Sequence, residues 1–240
     1  DLIGPDSGKI KEPLIAVAQL LRVLGAVPMD GWESRDESTS MRGVYWYKKP
    51  QDDLGQAALR SPSVFNFYSP DYTPSNAYFT ERGLASPEMK LLTEQNLLEF
   101  SNLVFLATYA FEKYRIEMVE GETLASYAGS KRFGNKLIMQ TSLEEVIALM
   151  TEAADGDLEN LEDSWIEPRP HKTAAVNVAI DYFNTRLLGG EMSTEARASL
   201  FEYLMNSADT NHTSAVREAQ MIAKDTVRMI AISSIYMVQK

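Results

Sequence analysis

A long irregular segment that leads into a long apolar helix constrains the fold of this chain more than any other feature. Residues 54–95 carry prolines, amides and aromatic side chains with no sustained helical period at first. Ser86-Pro87-Glu88 then form a strong helix start, with an N-cap hydroxyl, a proline at the first helical position and an acid in the first turn. The helix is predicted to extend to about Tyr114. Because apolar residues occur on all its sides, we expect it to lie at the centre of the domain.

The other periodic segments predict a mostly α-helical fold. Apolar residues recur at helical spacing in five further segments: residues 10–25, 142–155, 173–188, 194–206 and 214–238. Ser142 and Glu145 have the spacing of a capping box. Val44–Tyr47 is predicted to form a short strand that could be one arm of a β-hairpin. No helical pattern persists from Val27 to Ala85. Because a structureless loop of this length is uncommon in a compact domain, this aromatic and proline-rich excursion should be ordered. We therefore predict one α-helical domain over residues 1–240, as the C-terminal part of a longer protein.

Composition excludes several classes of function. The 240 residues carry a net charge of −11, which disfavours binding to nucleic acid or to anionic lipid. Absence of cysteine excludes disulfides, thiolate nucleophiles and cysteine zinc sites, and the two histidines have no metal-site spacing. No apolar run is long enough to predict a membrane span. The chain starts at Asp1 with neither methionine nor a signal peptide, which predicts a processed product or a segment of something longer.

No catalytic motif is present, and the sequence identifies no catalytic residue, metal site or cofactor. Ser63 lacks the surroundings of a hydrolase nucleophile and is more simply a turn residue. Two of Glu88, Glu94 and Glu99 could form a glycosidase-type acid pair. Alternatively, Glu88 is a first-turn acid, and the other two lie at rim positions or in internal ion pairs.

An acidic run between Asp155 and Asp163 supplies five carboxylates in nine residues. Closely spaced oxygens suit a hard cation such as calcium. The run lacks the glycine and glutamate spacing of an EF-hand loop, so it is more simply a solvated helix end.

Aromatic residues concentrate in the excursion and allow two interpretations. Nine lie within 35 positions: Tyr45, Trp46, Tyr47, Phe65, Phe67, Tyr68, Tyr72, Tyr78 and Phe79. Such rings can anchor an irregular backbone to the helical core, or they can stack on sugars. We take Trp46, Phe67, Tyr68 and Tyr72 as candidate ligand-binding residues. Exposed side chains at Trp46 and Tyr68 would favour glycan binding, and complete burial would argue against it.

Five motifs give this chain a family resemblance. They are Gly8–Pro13, Leu54–Gln56, Ser61–Pro70, Gly83–Glu88 and the closing segment Val227–Lys240. In this order they resemble the bacterial family known as domain of unknown function 1800. The closing segment departs from the family's usual Ser-Pro-Glu-Tyr at Ser234-Ile235-Tyr236, and losing that proline should let the last helix continue.

The resemblance implies a context rather than an activity. Family members are typically about twice this length, so an N-terminal helical half would precede this chain. Members are commonly exported and are often encoded beside an exported protein of sulfatase-like fold. No activity is established for the family, so no catalytic residue can be transferred to this sequence.

We therefore predict an exported helical structural or interaction protein, located in the periplasm, on the cell surface or outside the cell, within a larger surface or extracellular assembly. The expected partners are the N-terminal half of the same precursor or another protein chain, such as the sulfatase-like protein, with glycan as a further candidate. The alternative is a hydrolase or a binding module that acts on extracellular polysaccharide.

Overall fold

The computed structural model describes residues 9–28, 46–47, 50–110, 137–162, 169–207 and 215–239. Within these ranges the protein is mostly helical, as predicted. One cluster of buried apolar side chains joins helices from both halves of the chain. None of the described helices is long and apolar enough to cross a membrane.

Helix α1 (Pro13–Val23) confirms the first predicted helix. Pro13 occupies the first helical turn, where its missing N–H costs no hydrogen bond. Ala16, Val17 and Leu20 are buried on one face, which packs against the C-terminal helices. The helix ends before Gly25, whose φ of +55° lies in the left-handed region that suits glycine.

The region predicted as one helix from Ser86 onward is divided into three parts. Pro87–Leu91 forms a 3₁₀ helix, α4 covers Glu94–Phe105, and Leu106–Ala110 forms a π-helical turn. Ser86 makes no side-chain cap, and Thr93 is the N-cap instead, since its side chain accepts a hydrogen bond from the Asn96 N–H. Residues 111–114, the predicted end of this helix, lie outside the described residues. Two short helices, α2 (Pro50–Leu54) and α3 (Ala77–Arg82), precede it.

The central position belongs to a different helix from the one predicted. On α4, Leu98 is 63% exposed and Phe105 is also exposed, so the prediction of burial on all sides is wrong there. Helix α6 (Pro170–Leu188) occupies the centre, where Val176, Ile180 and Phe183 are fully buried. It packs against α1, α5 (Glu144–Ala153), α7 (Thr194–Asn206) and α8 (Ala215–Ala231).

Two predicted features of the C-terminal helices are wrong. Ser142 accepts a hydrogen bond from the Glu144 N–H at 3.1 Å, but Glu145 bonds to α6 instead of closing a capping box. The last helix does not continue to residue 238. Ser233 caps a separate short helix, α9 (Ser234–Met237), because its hydroxyl accepts from the Tyr236 N–H.

Within the described residues, five short strands form two small sheets. Strand β1 (Lys9–Ile10) pairs antiparallel with β5 (Val238–Gln239). Strand β4 (Leu137–Gln140) pairs with both β2 (Val27–Pro28) and β3 (Trp46–Tyr47). The predicted strand therefore forms at Trp46–Tyr47, but its partner is distant in sequence rather than the other arm of a local hairpin. Val44 and Tyr45 lie outside the described residues.

Candidate functional site

The aromatic loop, residues 57–86, is fastened to the start of α1 by one carboxylate. The Tyr68 hydroxyl donates to Oε1 of Glu12, and Nε2 of Gln56 donates to Oε2, both at 2.7 Å. Oε1 of the buried Gln56 accepts from the Leu14 N–H at 3.2 Å. Since both oxygens of Glu12 are occupied, this group anchors the loop rather than offering a free base.

The surroundings of Tyr68 keep its hydroxyl protonated. Burial raises the pKa of Tyr68, and its hydrogen bond to Glu12 and the charges of Glu12 and Glu88 raise it further. Lys9 holds Glu88 in an ion pair of 3.0 Å. Tyr68 is therefore a neutral hydrogen-bond donor at physiological pH.

The tip of the aromatic loop is a tight turn from Ser63 to Asn66. The Asn66 N–H donates to the Ser63 carbonyl at 3.2 Å, and the Phe65 N–H donates to Oγ of Ser63 at 3.1 Å. Asn66 has a φ of +68°, which asparagine tolerates better than most residues. Val64 is 95% exposed and Phe65 is 61% exposed. We call this element the Val64–Phe65 turn; Ser63 serves it as a turn residue.

The returning part of the loop is held by its own hydrogen bonds. Oδ1 of Asn76 accepts from the Phe79 N–H and caps α3. The exposed ring of Tyr78 lies under the Arg82 guanidinium, 4.4 Å from its centroid. The Ser86 N–H donates to the Tyr72 carbonyl at 2.9 Å, which fixes the end of the loop. The excursion is thus ordered along the part that the structure describes.

The four candidate ligand-binding residues have different environments. Phe67, Tyr68 and Tyr72 are half-buried in the aromatic loop, and the Trp46 side chain lies outside the described residues. None of the three loop residues lines either cavity described below. Their role in ligand binding stays a prediction.

Sequence reasoning did not single out Glu12, Gln56 or Val64, and it named Phe65 only as one of the nine clustered aromatic residues. Glu12, Gln56, Val64 and Phe65 all lie within the motifs that carry the family resemblance. A signal was therefore present, but nothing local shows that residue 12 and residue 68 meet.

The candidate acids lie on two neighbouring elements, and an acid pair among them stays a prediction. Glu88 lies in the 3₁₀ helix, ahead of α4, and Glu94 and Glu99 lie on α4 itself. In the acidic run, Asp157 accepts from the Glu159 N–H at 2.9 Å and Asp155 lies 3.1 Å from His171, while Asp163 is outside the described residues. The described part of the chain contains no cluster of His, Cys, Asp or Glu suited to a metal ion.

An apolar cavity of about 550 Å³ lies where α6 ends. It is bounded by Leu187, Leu188, Ile235 and Val238, and polar groups at Glu191, Ser193 and Ser234 border it. We call it the α6–α9 cavity. Its lining is predominantly apolar, so it suits an apolar side chain better than a charged ligand.

A second cavity, of about 430 Å³, is charged and lies between α1, α5 and α6. The Glu145 carboxylate accepts from the Tyr182 hydroxyl at 2.8 Å and from Arg186 at 2.6 Å. The Arg186 guanidinium also covers the Tyr182 ring at 3.8 Å. Burial, together with the bond to Glu145, raises the pKa of Tyr182 to about 12. The charged groups therefore largely satisfy one another.

A third polar cluster lies between the π-helical turn and α8. The Tyr109 hydroxyl donates to Asp225 on α8, and burial followed by this bond raises the pKa of Tyr109. The Arg228 guanidinium lies 5.8 Å from the Phe105 ring centroid and 6.0 Å from that of Tyr109. These contacts join α4 and the π turn to α8.

Comparison with known proteins agrees with the motifs. The model of the family described as Protein of unknown function (DUF1800) matches residues 2–238. No curated protein and no solved structure matches the chain. Because the match covers nearly the whole sequence, this protein belongs to the DUF1800 family.

Proposed function

We propose that this chain is an exported helical interaction protein that docks onto another protein chain through the Val64–Phe65 turn. The observation that supports this is the exposure of two adjacent large apolar side chains at the tip of a hydrogen-bonded turn. Nothing in the described protein packs against most of their surface.

Fixed apolar side chains of this kind suit a docking element. Aromatic residues are enriched among those that dominate binding energy, particularly where they fill a pocket of the partner. Ordering a flexible segment costs free energy on binding, whereas a turn already held by Ser63 and Asn66 has lost most of that freedom beforehand. The Tyr68–Glu12 bond extends this rigidity to the base of the loop.

Exposure of further apolar residues in the same loop supports a surface rather than a single contact. Leu59, Tyr78 and Leu84 are also exposed. Because they belong to the same loop as the turn, these side chains are further candidates for contact with the partner.

The experiment measures binding of the 240-residue chain to the N-terminal half that the family resemblance implies, with both parts produced separately. We expect Phe65→Ala to weaken the affinity by about tenfold or more, the usual effect of losing an aromatic anchor. Leu98→Ala is the matched control, because Leu98 is equally exposed at 63% but lies on α4. Equal affinities for the wild type and Phe65→Ala would show that the turn does not dock.

The compartment and the assembly belong to the same proposal. The commonly exported relatives support a role in a surface or extracellular assembly, and the cysteine-free sequence is compatible with either compartment. The sulfatase-like protein that family members are often encoded with is the second partner to test. Detection of the protein only inside the cell that makes it would contradict export.

Polysaccharide binding or hydrolysis is the second candidate. The half-exposed rings of Phe67, Tyr68 and Tyr72 favour it, since aromatic faces stack on sugars. It predicts that soluble polysaccharide quenches or shifts tyrosine fluorescence, and that hydrolysis releases reducing ends. Binding without product would favour a module, and product that persists in Glu88→Gln would remove that residue as the acid.

A further inference from the structure

We propose that the α6–α9 cavity is the receptor for the Val64–Phe65 turn of a second copy of this chain, so that two copies form a reciprocal dimer. This inference rests on the proposed function and names a receptor for the docking element. The turn presents an apolar projection and the cavity an apolar recess, and among the residues that the structure describes, none covers the turn tip or fills the cavity.

The chemistry of the two surfaces is complementary. Leu187, Leu188 and Ile235 provide an apolar lining for the Phe65 ring, and the cavity volume of about 550 Å³ exceeds what one aromatic side chain needs. Burial of the exposed apolar area of the turn would stabilise the contact, and this gain must exceed the costs of association.

Charge at the edges of the two surfaces also matches. Arg60 is exposed three residues before the turn begins, and Glu191 is exposed at the border of the cavity. When a turn enters the cavity of a second copy, these opposite charges can meet at its rim. Rim charges of this kind direct association and orientation more than they add affinity.

The turn and the cavity are both connected to the start of the chain. Tyr68 fastens the loop to Glu12, while Ile10 pairs with Val238 in the cavity wall. Both surfaces are therefore attached to the same short segment at the start of the chain. In a two-fold dimer the turn-to-cavity contact occurs twice, once in each direction, and such closed dimers are the commonest homo-oligomers.

The test measures mass by sedimentation equilibrium across a dilution series of the 240-residue chain. The wild type should show a dimer of twice the monomer mass that dissociates on dilution. Phe65→Ala removes the aromatic ring of the turn, and Ile235→Glu places a carboxylate in the cavity lining. Each should weaken self-association by about tenfold or more. Leu98→Ala should dimerise like the wild type, and thermal melts establish that each variant is folded.

Mixing the two defective variants separates this contact from a general loss of stability. A heterodimer of Phe65→Ala with Ile235→Glu retains one intact turn and one intact cavity, so the mixture should associate more tightly than either variant alone. In addition, Arg60→Glu and Glu191→Arg should each weaken the dimer, and the double exchange should restore it.

Three results would overturn the proposal: a wild type that stays monomeric, a dimer that Phe65→Ala leaves intact, or a mixture that associates no better than its components. A monomeric wild type whose binding to the N-terminal half still depends on Phe65 would reject the reciprocal dimer and retain the docking function. If neither self-association nor binding to the N-terminal half depended on Phe65, both the reciprocal dimer and the docking function would be rejected.

Discussion

Tyr236 joins the two ends of the chain, and its replacement tests the packing of the core most directly. The side chain is fully buried on α9. Its hydroxyl donates to the Ala16 carbonyl on α1 at 2.5 Å, its ring stacks on Phe100 with centroids 6.3 Å apart, and the Lys11 ammonium lies 3.9 Å from the ring centroid.

Two substitutions at this position separate the hydroxyl from the ring. Tyr236→Phe removes one hydrogen bond, and the Ala16 carbonyl keeps its partner within the helix, so we expect a loss of about 0.5–1.5 kcal/mol in the free energy of unfolding. Tyr236→Ala also leaves a cavity and removes the aromatic face beneath a buried ammonium, so we expect about 3–5 kcal/mol.

The assay is urea unfolding followed by circular dichroism, with the slope on denaturant checked for constancy. Tyr78→Ala is the control, because Tyr78 is exposed and its loss should cost only about 0.5 kcal/mol. Similar losses for Tyr236→Phe and Tyr236→Ala would refute the reasoning, since the ring would then contribute nothing to the core. A loss below about 1 kcal/mol for Tyr236→Ala would do the same.

Two further predictions concern charge. Lys172 is 2% exposed and pairs with Glu218 at 2.9 Å, so Glu218→Gln should lower the free energy of unfolding in urea by about 3–5 kcal/mol. The control Glu195→Gln, at an exposed position, should lower it little, and equal losses for the two variants would contradict a buried pair. The raised pKa values of Tyr182, about 12, and of Tyr236 mean that the unfolded chain loses these protons first, at its ordinary pKa near 10. These groups should therefore leave the free energy of unfolding unchanged below about pH 9 and lower it as the pH rises through 10 toward 12. The decrease should be less steep in Tyr236→Phe, and a urea midpoint that stays constant to pH 12 would contradict the prediction.

Helices with strong local signals were predictable. Ser193 caps α7 through the Ala196 N–H, and Gly189, at a φ of +67°, ends α6. Both signals act within a few residues, so the sequence alone places these boundaries.

The start of α4 depends on contacts between residues that are distant in sequence. Ser86-Pro87-Glu88 predict the start of a long helix, yet the 3₁₀ helix that begins there ends at Leu91, before α4 begins. Asn96 donates to the Leu91 carbonyl at 2.8 Å and lies against Gly55, where an added Cβ would come within 2.7 Å of its amide. This packing between α4 and the end of α2 favours a break that the helix-start motif does not encode.

The sequence by itself determined the helical class, several helix boundaries, the order of the aromatic excursion along its described part, and the family, because these depend on periodicity, caps and short motifs. Only the tertiary structure decided which helix is central, that Glu12 holds Tyr68, and that Val64 and Phe65 remain exposed. Exposure depends on what distant residues cover, and a hydrogen bond between residues 56 positions apart depends on how the whole chain packs. Neither can be read from a window of neighbouring residues.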